Sequence, residues 1–249
     1  MARMSNQISL SRLQMFYGDL DAVPLLRVII NEEFKGKTAL ISSFGADAAL
    51  MLSLVAEVNP ATPVFFLETQ KHFPETLGYA KNLTSQLGLK QVHWLTPDPQ
   101  LVENIDAKGD LWSTQPNRCC WLRKVEPLNR AVEKFGIEAL ITGRKRYQTP
   151  DRAEMQTIEL DDKGIFRINP VALWDKARQK EETMKRQLSE HPLVARGYPS
   201  VGCAPCTLPV AEGQDERAGR WAHTIGIENE QKVECGIHLP AADTASWSV

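Results

Sequence analysis

No stretch of the chain reaches the ~18 consecutive apolar residues needed to cross a bilayer, so nothing in it reads as a membrane span. Its first residues, Met1 to Gln7, lack the apolar core of a secretory signal. Broad positive charge is missing as well: the formal net charge is −2. That argues against a general nucleic-acid binder and leaves local basic clusters free to hold small anions. Internal repeats and low-complexity tracts are absent. What remains is ordinary, 43% hydrophobic and 24% charged over 249 residues. Such a chain can bury one large α/β domain, or a domain with a tail. A cytoplasmic enzyme is the simplest reading.

Cysteine is scarce, yet its five copies are concentrated in three short motifs: Cys119-Cys120, Cys203-Ala-Pro-Cys206 and Cys235. In a reducing compartment, paired cysteines serve as metal ligands or catalysts more often than as disulfides. Cys119 and Cys120 would also bridge poorly to each other, because adjacent Cα atoms lie only ~3.8 Å apart. The two pairs can supply four thiolates to one centre. Structural zinc and an iron–sulfur cluster both accept such a set; a redox Cys-x-x-Cys leaves the second pair without a purpose. Cys235 stands alone in Glu234-Cys235-Gly236-Ile237-His238. It is either a nucleophile or an incidental thiol. A free thiol with pKa near ~8.5 is only a few per cent thiolate at neutral pH, a fraction that neighbouring Arg and Lys would raise.

Apolar runs at 38–43, 63–67, 91–95 and 139–142 predict strands, and helical spacing predicts helices over 20–34, 47–58, 74–87 and 121–134. Alternation at this spacing indicates an α/β fold with a doubly wound, mostly parallel sheet. Residues 158–160 and 166–168 flank Asp161-Asp-Lys-Gly164, a hairpin pattern. Beyond Trp221 the chain turns polar with little to pack. The expected organisation is a domain over 1–222 and a mobile C-terminal tail over 223–249 carrying Cys235.

Three groups of residues follow predicted strands and should therefore share one edge of the sheet, where open α/β folds bind ligands. Ser42-Ser43-Phe44-Gly45-Ala46-Asp47 lies between a strand and a helix, so its backbone N–H groups can approach a phosphate; the plain alternative is a glycine turn with Asp47 capping the helix. Lys71 and His72 follow the second strand and either face an anion or merely precede a helix. Gly143 to Arg152 is strongly basic. Arg123 and Lys124 stand one turn beyond the first cysteine pair, where they can balance thiolate charge and face an anionic substrate. Arg217 and Arg220 share one helix face, and forked guanidiniums suit sulfate or phosphate. A solvated charged face is the plain reading of each basic run.

Taken together, these motifs resemble the assimilatory adenylyl-sulfate reductases that carry a 4Fe–4S cluster. The matching stretches run from Ser42 to His238: the Ser42–Asp47 loop, Phe73-Pro-Glu-Thr76, Cys119-Cys120 through Lys124 and Pro127-Leu128, Ile141-Thr-Gly143, and Asn169-Pro170. They continue through Gly197-Tyr-Pro-Ser-Val-Gly-Cys-Ala-Pro-Cys206, Asp215–Trp221 and Glu234–His238. The resemblance implies an adenine-nucleotide α-hydrolase-like fold. It implies Cys119, Cys120, Cys203 and Cys206 as cluster ligands and Cys235 as the nucleophile. Lys124, Arg217 and Arg220 match positions near the substrate sulfate and phosphate, and Ser42, Ser43, Phe44, Gly45 and Ala46 match the nucleotide-binding loop. The implied reaction, in sulfate assimilation and cysteine biosynthesis, converts adenosine 5′-phosphosulfate to sulfite and AMP through a cysteine S-sulfonate, with thioredoxin or a glutaredoxin-like protein as reductant. No nucleic acid or membrane is expected as a partner, and a homo-oligomer is left open. Reduction of the 3′-phosphorylated nucleotide, or of both, is the near alternative; a zinc-stabilised ATP pyrophosphatase-like enzyme or a nucleotide-binding module is the alternative of another class. This chain departs from the family pattern at Glu68, where aspartate is commoner, at Gln70, usually glycine, and at Ala222-His223, which replace an aromatic run.

Overall fold

Both faces of the middle of the sheet are covered, and its three innermost consecutive strands are buried along their whole length for that reason. The computed structural model describes residues 2–224, 232, 234–239 and 247, with side chains from Ile8 onward. The helices are α1 (Ala2–Tyr17), α2 (Ala22–Val28), α3 (Ala48–Val58), α4 (Pro74–Gln86), α5 (Pro99–Asp106), α6 (Leu111–Thr114), α7 (Pro116–Cys120), α8 (Glu126–Phe135) and α9 (Lys176–Lys185). The strands are β1 (Thr38–Ser42), β2 (Val64–Leu67), β3 (Val92–Leu95), β4 (Ala139–Ile141), β5 (Ile158–Leu160) and β6 (Phe166–Ile168). They form one sheet in the order β3-β2-β1-β4-β6-β5. Every pairing is parallel except β5 with β6, the expected hairpin at the edge.

Alternate strand residues feed two cores, as the two-residue period of a strand requires. Leu40, Val64, Phe66 and Ile141 pack with α2, α3 and α4 on one face. Ala39, Ile41, Phe65 and Leu140 pack with Leu128 and Ala131 of α8 on the other. Every residue of β1, β2 and β4 is buried.

Two predicted helices are less regular than expected. The segment 20–34 begins at Ala22 and ends in a π-helical turn, Ile29–Glu33. The segment 121–134 is the second half of a longer run: α7 leads into a π-helical turn at Trp121–Val125 and then α8. Such wide turns are common at functional sites because they shift the side-chain register, and this one carries Arg123 and Lys124. Helices α1, α5, α6 and α9 were not anticipated.

Of the expected tail, 225–231, 233, 240–246 and 248–249 lie outside the described residues. The described ones are seated on the domain: Ile237 packs against the α8 core, and Glu234 is buried. No helix among the described residues is long and apolar enough to span a membrane.

Candidate active site

A cavity of about 210 Å³ opens at the carboxyl ends of β1 and β4. From these neighbouring parallel strands the strand order runs toward opposite edges of the sheet, which makes the gap between them the ordinary ligand site of an open α/β fold. Ser42, Ser43, Gly45 and Ala46 line it from β1, and Thr142, Gly143 and Arg144 from β4. Lys124, Arg217, Arg220 and Cys235 complete the wall. Residues far apart in the sequence, each expected near a nucleotide or sulfate, are thus brought together.

The loop after β1 is shaped by its own hydroxyls. Ser42 Oγ accepts from the Phe44 N–H at 3.1 Å and Ser43 Oγ from the Gly45 N–H at 3.3 Å. Gly45 is required sterically, since a Cβ there would stand 2.7 Å from the Val201 carbonyl oxygen. Phe44 behaves differently from its neighbours. Its φ is 47°, its side chain is fully buried, and its ring meets Phe66 edge-on at 5.0 Å. Phe44 therefore anchors the loop, and only its backbone is available to a ligand. Asp47 makes no capping bond to α3. Its carboxylate instead accepts from Lys145 Nζ at 3.2 Å and Gln179 Nε2 at 3.0 Å.

The cations are held by different means. Arg144 donates to Glu159 and Asn169 at 3.0 and 3.2 Å. Arg220 donates to Ser200 Oγ at 3.3 Å, stacks on Trp221, and keeps a buried Nε without a partner among the described residues. Arg217 is pushed down to about 10 by burial and by Arg220 and Arg152 nearby. Burial opposes charge on Lys124, but the sulfurs of Cys203, Cys235 and Cys120 outweigh it and hold the ammonium above its ordinary value. His238 lines the same cavity; burial and four surrounding arginines keep its ring neutral, and its buried Nδ1 has no partner among the described residues. Cys235, half-buried, is shifted below an ordinary thiol. The largest cause is a hydrogen bond from Cys120, followed by the opposing effect of burial and then by Lys124, the Ile237 N–H and Lys232.

Cys119, Cys120, Cys203 and Cys206 line a second, smaller cavity against the first. Lys124, Arg220 and Trp221 face both. All four thiols are buried and unpaired. Burial pushes Cys119 up to about 11 and Cys206 up to about 12, so as free thiols they are protonated; thiolates here need a metal. Among the described residues no three His, Cys, Asp or Glu side chains converge on a point that could hold a single ion. The four cysteines line the second cavity, with Thr69 Oγ1 at 3.3 Å from Cys203 Sγ and His223 Nε2 at 3.9 Å from Cys206 Sγ. Four soft ligands lining one cavity, with Arg123 and Lys124 beside them, fit a polynuclear thiolate-bound cluster.

Two expectations change. Lys71 does not face the first cavity: its ammonium donates to the Gly109 carbonyl at 2.7 Å and lies beside the cysteines. His72 does line the first cavity, but Nε2 is tied to the Leu67 carbonyl at 2.9 Å and burial lowers it to about 4. The departures at Glu68 and Gln70 are accommodated locally. Gln70 adopts a φ of 60°, the conformation that favours glycine, and Glu68 Oε1 accepts its N–H at 2.8 Å. Sequence reasoning gave no role to Glu234 and noted Arg152 only as part of a basic run; the two form a buried ion pair at the cavity wall. Only the Glu-Cys-Gly-Ile-His motif pointed to the former.

The phosphoadenosine phosphosulfate reductase domain matches residues 37–209, which include the loop after β1 and all four buried cysteines. The chain belongs to this family. Among curated relatives, the adenosine 5′-phosphosulfate reductase of Chelativorans sp. is 43% identical over 95% of this chain and 94% of its own length. That of Mesorhizobium japonicum is 42% identical over 94% and 88%. A phosphoadenosine 5′-phosphosulfate reductase of Gloeobacter violaceus is 34% identical over 94% and 95%. The fold is shared with the phosphoadenylyl-sulfate reductase of Candida auris, at a TM-score of 0.68 and 23% identity over 80% of this chain and 96% of that one. It is shared more distantly with the FMN adenylyltransferase of Candida glabrata, at a TM-score of 0.54 and 15% identity over 99% and 90%. The matched segment includes both strands, β1 and β4, that bound the first cavity.

Proposed function

We propose that this reductase-family protein converts adenosine 5′-phosphosulfate to sulfite and AMP, with Cys235 as the nucleophile. The observation that carries the reading is the shared cavity: Cys235 faces Lys124, Arg217 and Arg220 across a space bounded by the Ser42–Ala46 loop. Relatives bearing that activity in their names cover nearly the whole chain.

In the first step the Cys235 thiolate attacks the sulfate sulfur. An S–S bond forms, the bond from sulfur to the phosphate oxygen breaks, and AMP leaves with the electron pair. Bringing a thiolate to an anion is the physical obstacle. The three cations offset that repulsion and stabilise charge building on the departing oxygen. In the second step a thiolate of thioredoxin, or of a glutaredoxin-like dithiol, attacks Cys235 Sγ. Sulfite leaves with the bonding pair, and the mixed disulfide is resolved by the reductant's second thiol, which restores Cys235. Undocking of the 234–239 segment from the domain would let Cys235 meet the reductant in the second step. The reading places the protein in the cytoplasm.

A 4Fe–4S cluster at Cys119, Cys120, Cys203 and Cys206 would supply a fixed electrostatic and structural element. Lys124, facing both cavities, would link it to the substrate sulfate. The Gloeobacter relative favours a second reading, in which the 3′-phosphorylated nucleotide is also accepted; rates with the two nucleotides compared side by side decide it. The main test is Cys235→Ser. The variant should bind nucleotide yet gain no SO₃ mass on the tail peptide, and undiminished sulfite release would end the assignment.

A further inference from the structure

Arg152 stands among the cavity's cations, yet its charge is already spent. Its Nε donates to Glu234 Oε2 at 2.8 Å, and Nη2 lies 2.5 Å from the same oxygen. Its Nη1 donates to Gln148. Both members of the pair are buried, Arg152 at 7% and Glu234 at 9% exposure. The other carboxylate oxygen, Glu234 Oε1, accepts the backbone N–H of Cys235 at 2.8 Å. One carboxylate therefore joins an arginine of the domain, at the end of the loop after β4, to the peptide unit that carries the thiol.

A carboxylate next to a nucleophile that must approach an anion is unfavourable on charge alone. Left unpaired, Glu234 would repel the substrate and would also be costly to bury. Pairing with Arg152 removes both penalties and converts the acid into a handle. We infer that Arg152 and Glu234 are positioning residues: their ion pair clamps the tail segment against the domain and sets the Cys235 backbone over the cavity, and Arg152 is not a ligand of the substrate anion while the tail is docked. The inference rests on Cys235 being the nucleophile, and it separates Arg152 from Arg217 and Arg220, which form no ion pair with a carboxylate among the described residues.

The clamp is measured without nucleotide, so its outcome stands apart from the assigned reaction. Hydrogen–deuterium exchange of the peptide spanning 234–239 is followed in the substrate-free protein for the parent, Glu234→Gln, Arg152→Lys and the double variant. Gln keeps an acceptor for the Cys235 N–H and nearly the same shape, so this variant reads the ion pair even if Arg152→Lys folds poorly. Breaking a buried pair on one side is costly, and exchange of that peptide should speed up by about tenfold or more, with no change in peptides of β1 or β4. The double variant should match the single ones rather than sum them. In turnover, kcat should fall while KM for the nucleotide stays within about twofold. Unchanged exchange in Glu234→Gln, additive effects in the double variant, or a raised KM with intact kcat in Arg152→Lys would each overturn the clamp.

Discussion

The Arg220 guanidinium lies over the Trp221 indole, its Cζ 4.6 Å from the ring centroid, and closely approaches Gly202. A Cβ at residue 202 would stand 2.3 Å from Arg220 Nη2. The glycine ahead of the second cysteine pair is thus a space reserved for an arginine. Gly202→Ala should push Arg220 out of the cavity and weaken nucleotide binding by about tenfold, the worth of one charge-assisted hydrogen bond. Titration calorimetry with AMP and with the sulfated nucleotide checks this, and the loss should be greater for the latter.

Asp106 and Arg123 form a buried ion pair, Oδ2 to Nη2 at 2.5 Å, while Asp106 Oδ1 accepts the Leu111 N–H at 2.9 Å. Arg123 Nη1 also donates to the Thr69 carbonyl at 3.0 Å. Asp106→Asn leaves the guanidinium charge buried and uncompensated, which should cost about 3–5 kcal/mol. Urea denaturation should show the midpoint falling with little change in slope.

His191 is buried, with Nε2 against Thr76 Oγ1 at 3.1 Å and Nδ1 accepting the Leu193 N–H at 3.2 Å. Burial lowers it to about 4, with Glu75 opposing weakly. The folded state therefore resists protonation that the unfolded chain accepts below about 6.5. Stability from this residue is complete above pH ~6.5 and is lost progressively as pH falls toward about 4. Melting temperatures across that window should decline less steeply in His191→Gln than in the parent, even though the variant is less stable near neutrality.

Anaerobically purified protein should contain iron and acid-labile sulfide in equal amounts and absorb visible light. Substituting Cys206 by Ser should bleach that absorption and lower the melting temperature, because metal binding at such a site contributes directly to folding free energy. A colourless zinc protein with full turnover would remove the cluster from the reading.

The succession of the six strands and of α3, α4 and α8 was legible because burial on both faces makes β1, β2 and β4 continuous apolar runs, while α3 and α8 keep helical spacing. The cysteine motifs were equally plain, since five thiols in three clusters leave little room for accident. Other features were hidden. Nothing in the composition of 143–152 reveals that Arg144 pairs with Glu159 of the neighbouring hairpin, whereas Arg152 pairs with a carboxylate 82 residues away beside Cys235. Nor does the sequence reveal that Phe44 turns into the core while its neighbours line the site.

By itself, then, the sequence determined which segments bury and which residue types were available for chemistry, because periodicity and side-chain chemistry are local properties. Tertiary structure alone decided which cations stay free for an anion, which are neutralised, and that Cys235 meets them at one cavity. The physical reason is that closing a loop costs only slowly more as it lengthens. Separation along the chain therefore says little about which distant charges will meet, and that choice falls to the packing of the whole domain.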